Sequence, residues 1–194
     1  PFENRELVDE GKAFPADFIA EGVDQTRGWF FTLHAIATMV FDSVAYKNVI
    51  SNGLVLDKNG IKMSKRLGNV INPFDCIGTY GTDAVRWYMV TNSSPWDNLS
   101  FDPAGVKDVT SAFFVKLYQA YSFFPLYANV DGFDYSEDDV PFEERPDFDR
   151  WLLSELNSLV KDVDRYLADY DVTPAGRLIQ NFVIDKLSNW YIRL

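Results

Sequence analysis

Hydrophobic and polar positions divide the chain near residue 100. Before that point, a short apolar run at 18–20 and a second strand region, made of the runs at 49–50 and 54–56, flank a helical pattern over about 26–41. Two strands joined by a crossover helix form a β-α-β unit, and such strands are expected to pair in parallel. Ligands of parallel sheets bind at the carboxyl ends of the strands. The pattern therefore predicts an α/β fold whose functional residues follow the strands.

The helix predicted over 26–41 is apolar on nearly every side. Its hydrophobic positions include Trp29, Phe30, Phe31, Leu33, Ile36, Met39 and Val40. A helix that is hydrophobic all round is normally buried. We expect this helix to be buried, and His34 near its middle to be a packed core residue.

Beyond residue 102 the chain shows helical patterns only. Three series of apolar positions recur at steps of three and four residues. They are Val106, Val109, Phe113, Leu117, Tyr121 and Phe124, then Leu152, Leu156, Leu159, Val163, Tyr166 and Tyr170, and finally Ile179, Val183, Leu187, Trp190 and Leu194. Three amphipathic helices predict a helical bundle. The predicted fold class is α/β followed by all-α, with a domain boundary between residues 99 and 102.

Three helix starts are predicted from a capping side chain placed before a proline. The pairs are Asn72-Pro73, Asp102-Pro103 and Thr173-Pro174. Asparagine, aspartate and threonine oxygens accept hydrogen bonds from first-turn amides. Proline is favoured at the first helical position because the amide hydrogen that it lacks would have no partner within the helix. We expect a helix to begin at each pair.

Composition limits the class of protein. The 194 residues are 47% hydrophobic and 24% charged, and no apolar run approaches the roughly 18 residues of a membrane span. We expect a soluble, cytoplasmic protein with no membrane partner. One cysteine, Cys76, and one histidine, His34, exclude an internal disulfide and a Cys/His zinc cluster, so no metal site is predicted. Because the sequence begins with Pro1 and a helical pattern continues to Leu194, we also expect it to be a fragment of a longer protein.

The charge is unevenly distributed. The net charge of -11 argues against a broad nucleic-acid-binding face. Nine carboxylates lie between Asp131 and Asp149, where Pro141 and Pro146 interrupt regular structure. We interpret this acidic segment as a solvated loop between helices. A compact group of cations contrasts with it and comprises Lys58, Lys62, Lys65 and Arg66.

The first candidate for chemistry is the basic loop at residues 60–69. It reads Gly60-Ile61-Lys62-Met63-Ser64-Lys65-Arg66-Leu67-Gly68-Asn69 and follows a predicted strand. Two lysines three residues apart, with a serine between them and a glycine hinge at each end, can fold over a polyphosphate and stabilise the charge of a leaving pyrophosphate. The alternative interpretation is a solvated basic turn.

The second candidate is the junction between the first strand and the following helix. It reads Glu21-Gly22-Val23-Asp24-Gln25-Thr26-Arg27-Gly28-Trp29-Phe30. Glu21, Asp24 and Gln25 can accept hydrogen bonds from ribose hydroxyls or an ammonium group. The alternatives are that Asp24 or Thr26 caps the helix and that Trp29 is a core residue.

Together the two segments resemble the class I aminoacyl-tRNA synthetases. Residues 62–66 resemble the KMSKS signature of that family, and residues 21–30 resemble its isoleucine-specific branch. The resemblance continues through 51–54, 68–73 and 80–86, is strong over about 16–100, and is weaker in the helical remainder. It implies that 1–100 is the C-terminal portion of a Rossmann-like catalytic domain. Residues 101–194 would then begin a helical anticodon-binding domain.

The resemblance also implies roles for individual residues. Lys65 would contact the ATP phosphates with the help of Lys62, as catalytic residues, and Ser64 and Gly53 would complete the ATP site. The aminoacyl-adenylate would be held by residues of the strand-helix junction, namely Glu21, Gly22, Asp24 and Gln25. Trp29 of the same junction would line the amino-acid side-chain pocket. The implied substrates are isoleucine, ATP with Mg²⁺, and tRNA(Ile), and a monomer is favoured.

Two departures from the family pattern qualify the resemblance. Arg66 stands where the commonest signature has serine, but both lysines are present. The family's HIGH motif and editing domain are missing, which fits the expectation of a fragment that is inactive alone. The alternatives are a valine-specific relative and a non-catalytic nucleotide-binding or scaffold module.

Overall fold

A computed structural model describes residues 3–194, and its strands form two short parallel sheets. In the first sheet β1 (Ala16–Gly22) pairs with β2 (Tyr46–Asn52), and in the second β3 (Val55–Leu56) pairs with β4 (Leu99–Ser100). The chain passes from β1 to β2 through α2 (Trp29–Phe41), which confirms the predicted β-α-β unit. The runs at 49–50 and 54–56 were predicted as one strand region, but they belong to different sheets.

The remaining elements are helical. The α-helices are α1 (Arg5–Val8), α3 (Pro73–Tyr80), α4 (Thr82–Asn92), α5 (Pro103–Val109), α6 (Val115–Asp131), α7 (Asp147–Ala168) and α8 (Val172–Asn181). Wide π-helical turns at Thr110–Phe114 and Phe182–Tyr191 and 3-10 turns at Val23–Arg27 and Phe142–Glu144 complete the chain. None of the helices in residues 3–194 is long and apolar enough to cross a membrane.

Two compact units make up the described chain. The first holds the residues up to Gly68 together with Pro95–Ser100, and the second holds Asn69–Ser94 and Phe101–Leu194. Both sheets, α2 and the basic loop as far as Gly68 therefore lie in the first unit. Helices α3 and α4 lie in the second unit with the later helices. The division into domains at residue 100 stays a prediction.

The expected burial of α2 is wrong. Only Phe30 and Ala37 of this helix are buried, whereas Phe31 is 65% exposed and Met39 is 77% exposed. His34 is also exposed, with its ring centroid 6.0 Å from that of Tyr46. An all-round apolar helix has more surface than one face of a two-stranded sheet covers. The sequence pattern shows which faces of α2 are apolar, but it does not show how many of these faces pack against another part of this chain.

The core of the second unit is an aromatic and aliphatic cluster. Phe113, Phe182 and Val183 are buried there, and Trp87 stacks on Phe113 with 4.7 Å between ring centroids and 12° between ring planes. Burial of these side chains is the main source of stability that fixes the helices to one another. The three amphipathic series thus supply inward-facing residues, although Tyr121 and Phe124 of the first series are exposed.

Two of the three predicted helix starts are confirmed. The Asn72 side chain accepts a hydrogen bond from the Phe74 amide at the start of α3, and Asp102 accepts one from the Ala104 amide at the start of α5. The third is wrong, because α8 begins at Val172 and Thr173 lies inside it. The Thr173 hydroxyl donates instead to backbone carbonyls of α4 and the residue after it.

The acidic segment is a solvated connection, as predicted. Residues 132–146 join α6 to α7 and are exposed except for Arg145, which is half-buried. Asp147 and Asp149 fall in the first turn of α7 rather than in the loop. Carboxylates in a first helical turn interact favourably with the helix dipole, so the local charge supports the start of α7.

Tyr191 links the last helical turn to α7. Its hydroxyl donates a hydrogen bond to Asp149 Oδ1 at 2.6 Å. This hydrogen bond, assisted by partial burial and the carboxylate charge, raises the pKa of Tyr191 above its usual value near 10.

The raised pKa of Tyr191 makes stability depend on alkaline pH. The contribution is complete below about pH 10 and declines as pH rises through the folded-state pKa, because the phenolate cannot donate to Asp149. We expect the difference in unfolding free energy between the full chain and its Tyr191→Phe variant to shrink above pH 10. Denaturation at several pH values, with phenolate absorbance followed in parallel, measures this difference. An unchanged difference between pH 9 and 11 would contradict the prediction.

Candidate active site

The carboxyl ends of β1 and β2 lie side by side and present the first group of candidate residues. Glu21 is in register with Ser51, and Gly22 is in register with Asn52. Gly53 follows directly, and the side chains of Glu21 and Asp24 are exposed. The fold thus brings the predicted residues of the strand-helix junction to the same sheet edge as 51–53, which is where parallel sheets bind ligands.

The 3-10 turn after β1 is organised by its own side chains. Gln25 Nε2 donates to Asp24 Oδ2 at 3.0 Å, and Gln25 Oε1 accepts from the Trp29 amide at 3.0 Å. The Thr26 hydroxyl donates to the Val23 carbonyl at 2.7 Å. Neither Asp24 nor Thr26 therefore caps α2; Gln25 does. Sequence reasoning missed this role because local capping rules place the capping side chain immediately before the helix.

Gly22 and Trp29 complete the junction. A Cβ on Gly22 would lie 2.6 Å from Asp24 Oδ1, so only glycine leaves that carboxylate in its observed position. Trp29 is 48% exposed, and the alternative that it is a core residue is wrong within this chain. The junction therefore carries two exposed carboxylates, an amide that bonds to one of them, and a half-exposed indole.

Gly53 lies close against the backbone of the segment before β4. A Cβ there would lie 2.2 Å from the Asp97 carbonyl oxygen and 2.4 Å from the Asp97 carbonyl carbon. The Gly53 amide donates to the Pro95 carbonyl at 2.9 Å, and the Leu54 amide donates to Asn98 Oδ1 at 2.8 Å. Gly53 thus joins the end of β2 to the segment before β4.

A buried aspartate shapes the base of the basic loop. Asp57 is 8% exposed, and its Oδ1 accepts from the amides of Asn59 and Ile61, each at 2.9 Å. These bonds turn the chain back so that Lys62 forms an antiparallel bridge with Leu56 of β3. The loop therefore rises from β3, whereas the candidate carboxylates stand at the end of β1.

The upper part of the loop is a short turn. The Leu67 amide donates to Ser64 Oγ at 3.3 Å, and the Gly68 amide donates to the Lys65 carbonyl at 3.3 Å. Gly60 and Gly68 both have positive φ, +77° and +66°, which favours glycine at each end of the loop. The side chains of Lys62, Lys65 and Arg66 are exposed. This part of the site can offer several cationic groups to an anionic ligand.

The acidic groups of the described chain do not gather into a metal-binding cluster. Within residues 3–194 no three His, Cys, Asp or Glu side chains are grouped so that they could hold a metal ion. The junction residues can hydrogen-bond a ligand, and the loop cations can stabilise negative charge.

Two family models match the chain. Residues 1–102 match "tRNA synthetases class I (I, L, M and V)", and residues 149–194 match "Anticodon-binding domain of tRNA ligase". Isoleucine–tRNA ligase of Bacteroides fragilis is 69% identical over 194 residues, and that of Thermus thermophilus is 47% identical over 193. The chain is covered completely in both alignments but spans only 17% and 18% of the lengths of these relatives.

Solved structures share the fold. A leucyl-tRNA synthetase (LeuRS) of Agrobacterium radiobacter, in a complex with tRNA and LeuAMS, superposes with a TM-score of 0.70 at 19% identity, over 87% of this chain and 22% of that one. Mycobacterium tuberculosis methionyl-tRNA synthetase, in complex with methionyl-adenylate, gives 0.69 at 22% identity, over 89% of this chain and 33% of that one.

Proposed function

The chain belongs to the class I tRNA synthetases of the isoleucine, leucine, methionine and valine group, and we propose that it forms part of the active site of an isoleucine–tRNA ligase. The observation that carries the specificity is the 69% identity, over all 194 residues, to relatives of that name. We also propose the finer architecture, in which 1–100 is the C-terminal portion of a Rossmann-like catalytic domain and 101–194 begins a helical anticodon-binding bundle.

The proposed reaction has two steps. A carboxylate oxygen of isoleucine attacks the α-phosphorus of ATP, a new P–O bond forms, and the bond to the bridging oxygen breaks to release pyrophosphate. A terminal ribose hydroxyl oxygen of tRNA(Ile) then attacks the acyl carbon, and the bond from that carbon to the phosphate oxygen breaks. AMP leaves, and the hydroxyl proton passes to water. Negative charge grows on the departing pyrophosphate in the first step, so fixed cations nearby lower that barrier.

The basic loop is proposed to serve this first step. Lys65 contacts the ATP phosphates and Lys62 assists it, while Ser64 and Gly53 complete the ATP site. Their support is geometric: both lysines are exposed on a loop with a glycine at each end, and its base is held by Asp57. Mg²⁺ is proposed to arrive with ATP, bound by its phosphates.

The junction after β1 is proposed to hold the activated amino acid. Glu21, Gly22 and Asp24 hold the aminoacyl-adenylate, and Trp29 lines the isoleucine side-chain pocket. Gln25 both contacts the adenylate and fixes the neighbouring carboxylate, since its amide already donates to Asp24 Oδ2. The exposure of Glu21, Asp24 and Trp29 at the sheet edge supports these roles.

The proposed partner of the helical part is tRNA(Ile). The acidic segment at 131–149 repels phosphates and is expected to face away from the RNA. Participation in protein synthesis implies a cytoplasmic location, and a monomer is favoured.

The specificity is tested by pyrophosphate exchange with the full-length protein that contains this chain. We expect isoleucine to support exchange with a kcat/KM at least about fourfold above that of valine, because one buried methylene contributes about 0.8 kcal/mol. Leucine and methionine are expected to be poorer still. Exchange that is faster with valine would identify a valine-specific relative, and no exchange with any of the four would indicate a non-catalytic module.

A further inference from the structure

The side-chain amide of Gln25 bonds to two partners at once. Its Nε2 donates to Asp24 Oδ2, and its Oε1 accepts from the Trp29 amide, each at 3.0 Å. Asp24 belongs to the 3-10 turn after β1, and Trp29 is the first residue of α2. One side chain therefore ties the turn to the start of the helix. We call these two hydrogen bonds of the Gln25 side chain the junction bridge.

The junction bridge requires one orientation of the Gln25 amide. A glutamine amide has an acceptor oxygen on one side and an NH₂ donor on the other. Turning the group over would place its NH₂ against the Trp29 amide, which is also a donor, and its oxygen against the Asp24 carboxylate. Both contacts would then be repulsive. The bridge is therefore made with Oε1 towards α2 and Nε2 towards Asp24, and in no other way.

Gly28 lies directly against the junction bridge. A Cβ on Gly28 would lie 2.8 Å from Gln25 Oε1 and 3.5 Å from Gln25 Cδ. Carbon atoms in favourable non-bonded contact are about 3.5 Å or more from their neighbours, so the glutamine oxygen would have to move away from an added methyl group. Because that oxygen accepts the hydrogen bond of the Trp29 amide, its displacement breaks the bridge.

The backbone of Gly28 is held on both sides. Its amide donates to the Gln25 carbonyl at 3.0 Å, and its carbonyl accepts from the Thr32 amide and from the Thr32 hydroxyl, each at 2.9 Å. Moving Gly28 away from Gln25 would strain all three hydrogen bonds. A methyl group at this position is therefore accommodated by displacing the Gln25 side chain.

The junction bridge joins two residues with different proposed roles, since Asp24 is proposed to hold the adenylate and Trp29 to line the amino-acid pocket. We propose that Gly28 is a positioning residue for amino-acid selection. Because it has no side chain, the bridge can form and hold the Asp24 carboxylate and the first turn of α2 in fixed positions relative to each other. Gly28 acts through Gln25 and needs no contact with the substrates. The inference rests on the proposed function of the junction.

The kinetic test is pyrophosphate exchange by the full-length protein with isoleucine and with valine. We expect Gly28→Ala to lower kcat/KM for isoleucine about tenfold, since a misplaced positioning group costs up to about 100-fold in rate. We also expect the isoleucine-to-valine ratio of kcat/KM to fall about two- to fourfold, because one buried methylene group accounts for about fourfold. A lower melting temperature with an unchanged ratio would show a merely structural role and overturn the proposal.

A double-mutant cycle shows whether Gly28 acts through Gln25. In the Gln25→Ala protein, the two side-chain atoms nearest to the added Cβ are absent. We therefore expect Gly28→Ala to change kcat/KM by less than about twofold in that background, as coupled residues do. An equal loss in both backgrounds would assign the effect to the backbone of Gly28 and overturn the proposal.

Thr26→Val is the matched control for Gly28→Ala. The Thr26 hydroxyl donates to the Val23 carbonyl in the same 3-10 turn, so this variant removes a local hydrogen bond and leaves the junction bridge in place. The isoleucine-to-valine ratio is expected to stay unchanged. A fall as large as that of Gly28→Ala would show that any disturbance of the turn has this effect, and it would overturn the proposal.

Amide hydrogen exchange separates this proposal from the proposed function. In Gly28→Ala the Trp29 amide loses its acceptor, so we expect it to exchange about tenfold faster, with no change in Thr26→Val. Unchanged protection of the Trp29 amide in Gly28→Ala, in a protein that activates isoleucine, would overturn the role of Gly28 alone. If the unmodified protein shows no pyrophosphate exchange with any amino acid, the proposed function fails, and the Trp29 amide still shows whether Gly28 keeps the bridge intact.

Discussion

Replacing Lys65 by alanine in the full-length protein slows isoleucyl-adenylate formation by about 100- to 1000-fold, the loss typical of removing one preorganised contact to developing charge. The Lys65 ammonium group is exposed at the turn of the basic loop, where a polyphosphate can reach it. Isoleucine binding is expected to change little, because the junction after β1 is left intact. Single-turnover formation of adenylate gives the rate, and equilibrium dialysis with labelled isoleucine gives the affinity.

Lys47→Ala is the matched control for Lys65→Ala. Lys47 lies on β2 in the same compact unit and pairs with Asp17 at 2.8 Å on the surface. Exposed ion pairs contribute about 0 to 1 kcal/mol, so this variant is expected to behave as the unmodified protein. Adenylate formation by Lys65→Ala within threefold of that control would show that the loop does not stabilise the leaving pyrophosphate.

Replacing Gly53 by alanine lowers the free energy of unfolding by about 2 to 3 kcal/mol, in the range of overpacked sites. The added Cβ meets backbone atoms of Asp97 rather than a movable side chain, so the segment before β4 must shift. Because Gly53 follows the sheet edge, we also expect adenylate formation to fall. Urea denaturation with tryptophan fluorescence measures the first effect and pyrophosphate exchange the second.

Gly78→Ala provides the comparison for Gly53→Ala. Gly78 lies inside α3, and a Cβ there would meet nothing within 4 Å. Alanine is favoured over glycine in a helix interior by about 0.5 to 1 kcal/mol, so this variant is expected to gain stability. If both alanine variants change the free energy of unfolding in the same direction and by similar amounts, the close approach of Gly53 to Asp97 is not the cause of the effect.

Local signals in the sequence predicted the connectivity of the fold. Apolar runs separated by a helical pattern led to a parallel β-α-β unit, and β1, α2 and β2 form it. The Asn72 and Asp102 caps were also predictable, because the capping oxygen and the amide it accepts from lie two residues apart. Predictions of this kind need only the chemistry of neighbouring residues.

Predictions that depended on distant partners did less well. The pattern of α2 shows which faces are apolar, but it cannot show that only Phe30 and Ala37 find cover. Thr173 has the chemistry of a helix cap, yet its hydroxyl bonds to carbonyls some 80 residues away in sequence. The close approach at Gly53 has no sequence signal beyond the glycine itself. The roles assigned to the candidate site residues stay predictions.

The two hydrogen bonds that Asp57 accepts from backbone amides have an entropic consequence. Fixing the backbone of one residue costs about 1 to 2 kcal/mol, and a loop that closes on a ligand must meet that cost for every residue it orders. Asn59 and Ile61 are already held by the Asp57 side chain, and Lys62 is already bridged to Leu56. If the loop closes on ATP as proposed, we expect the additional ordering to fall on the six residues 63–68. We then expect a substitution at Asp57 to weaken ATP binding from a distance, although the groups proposed to touch the nucleotide are still present.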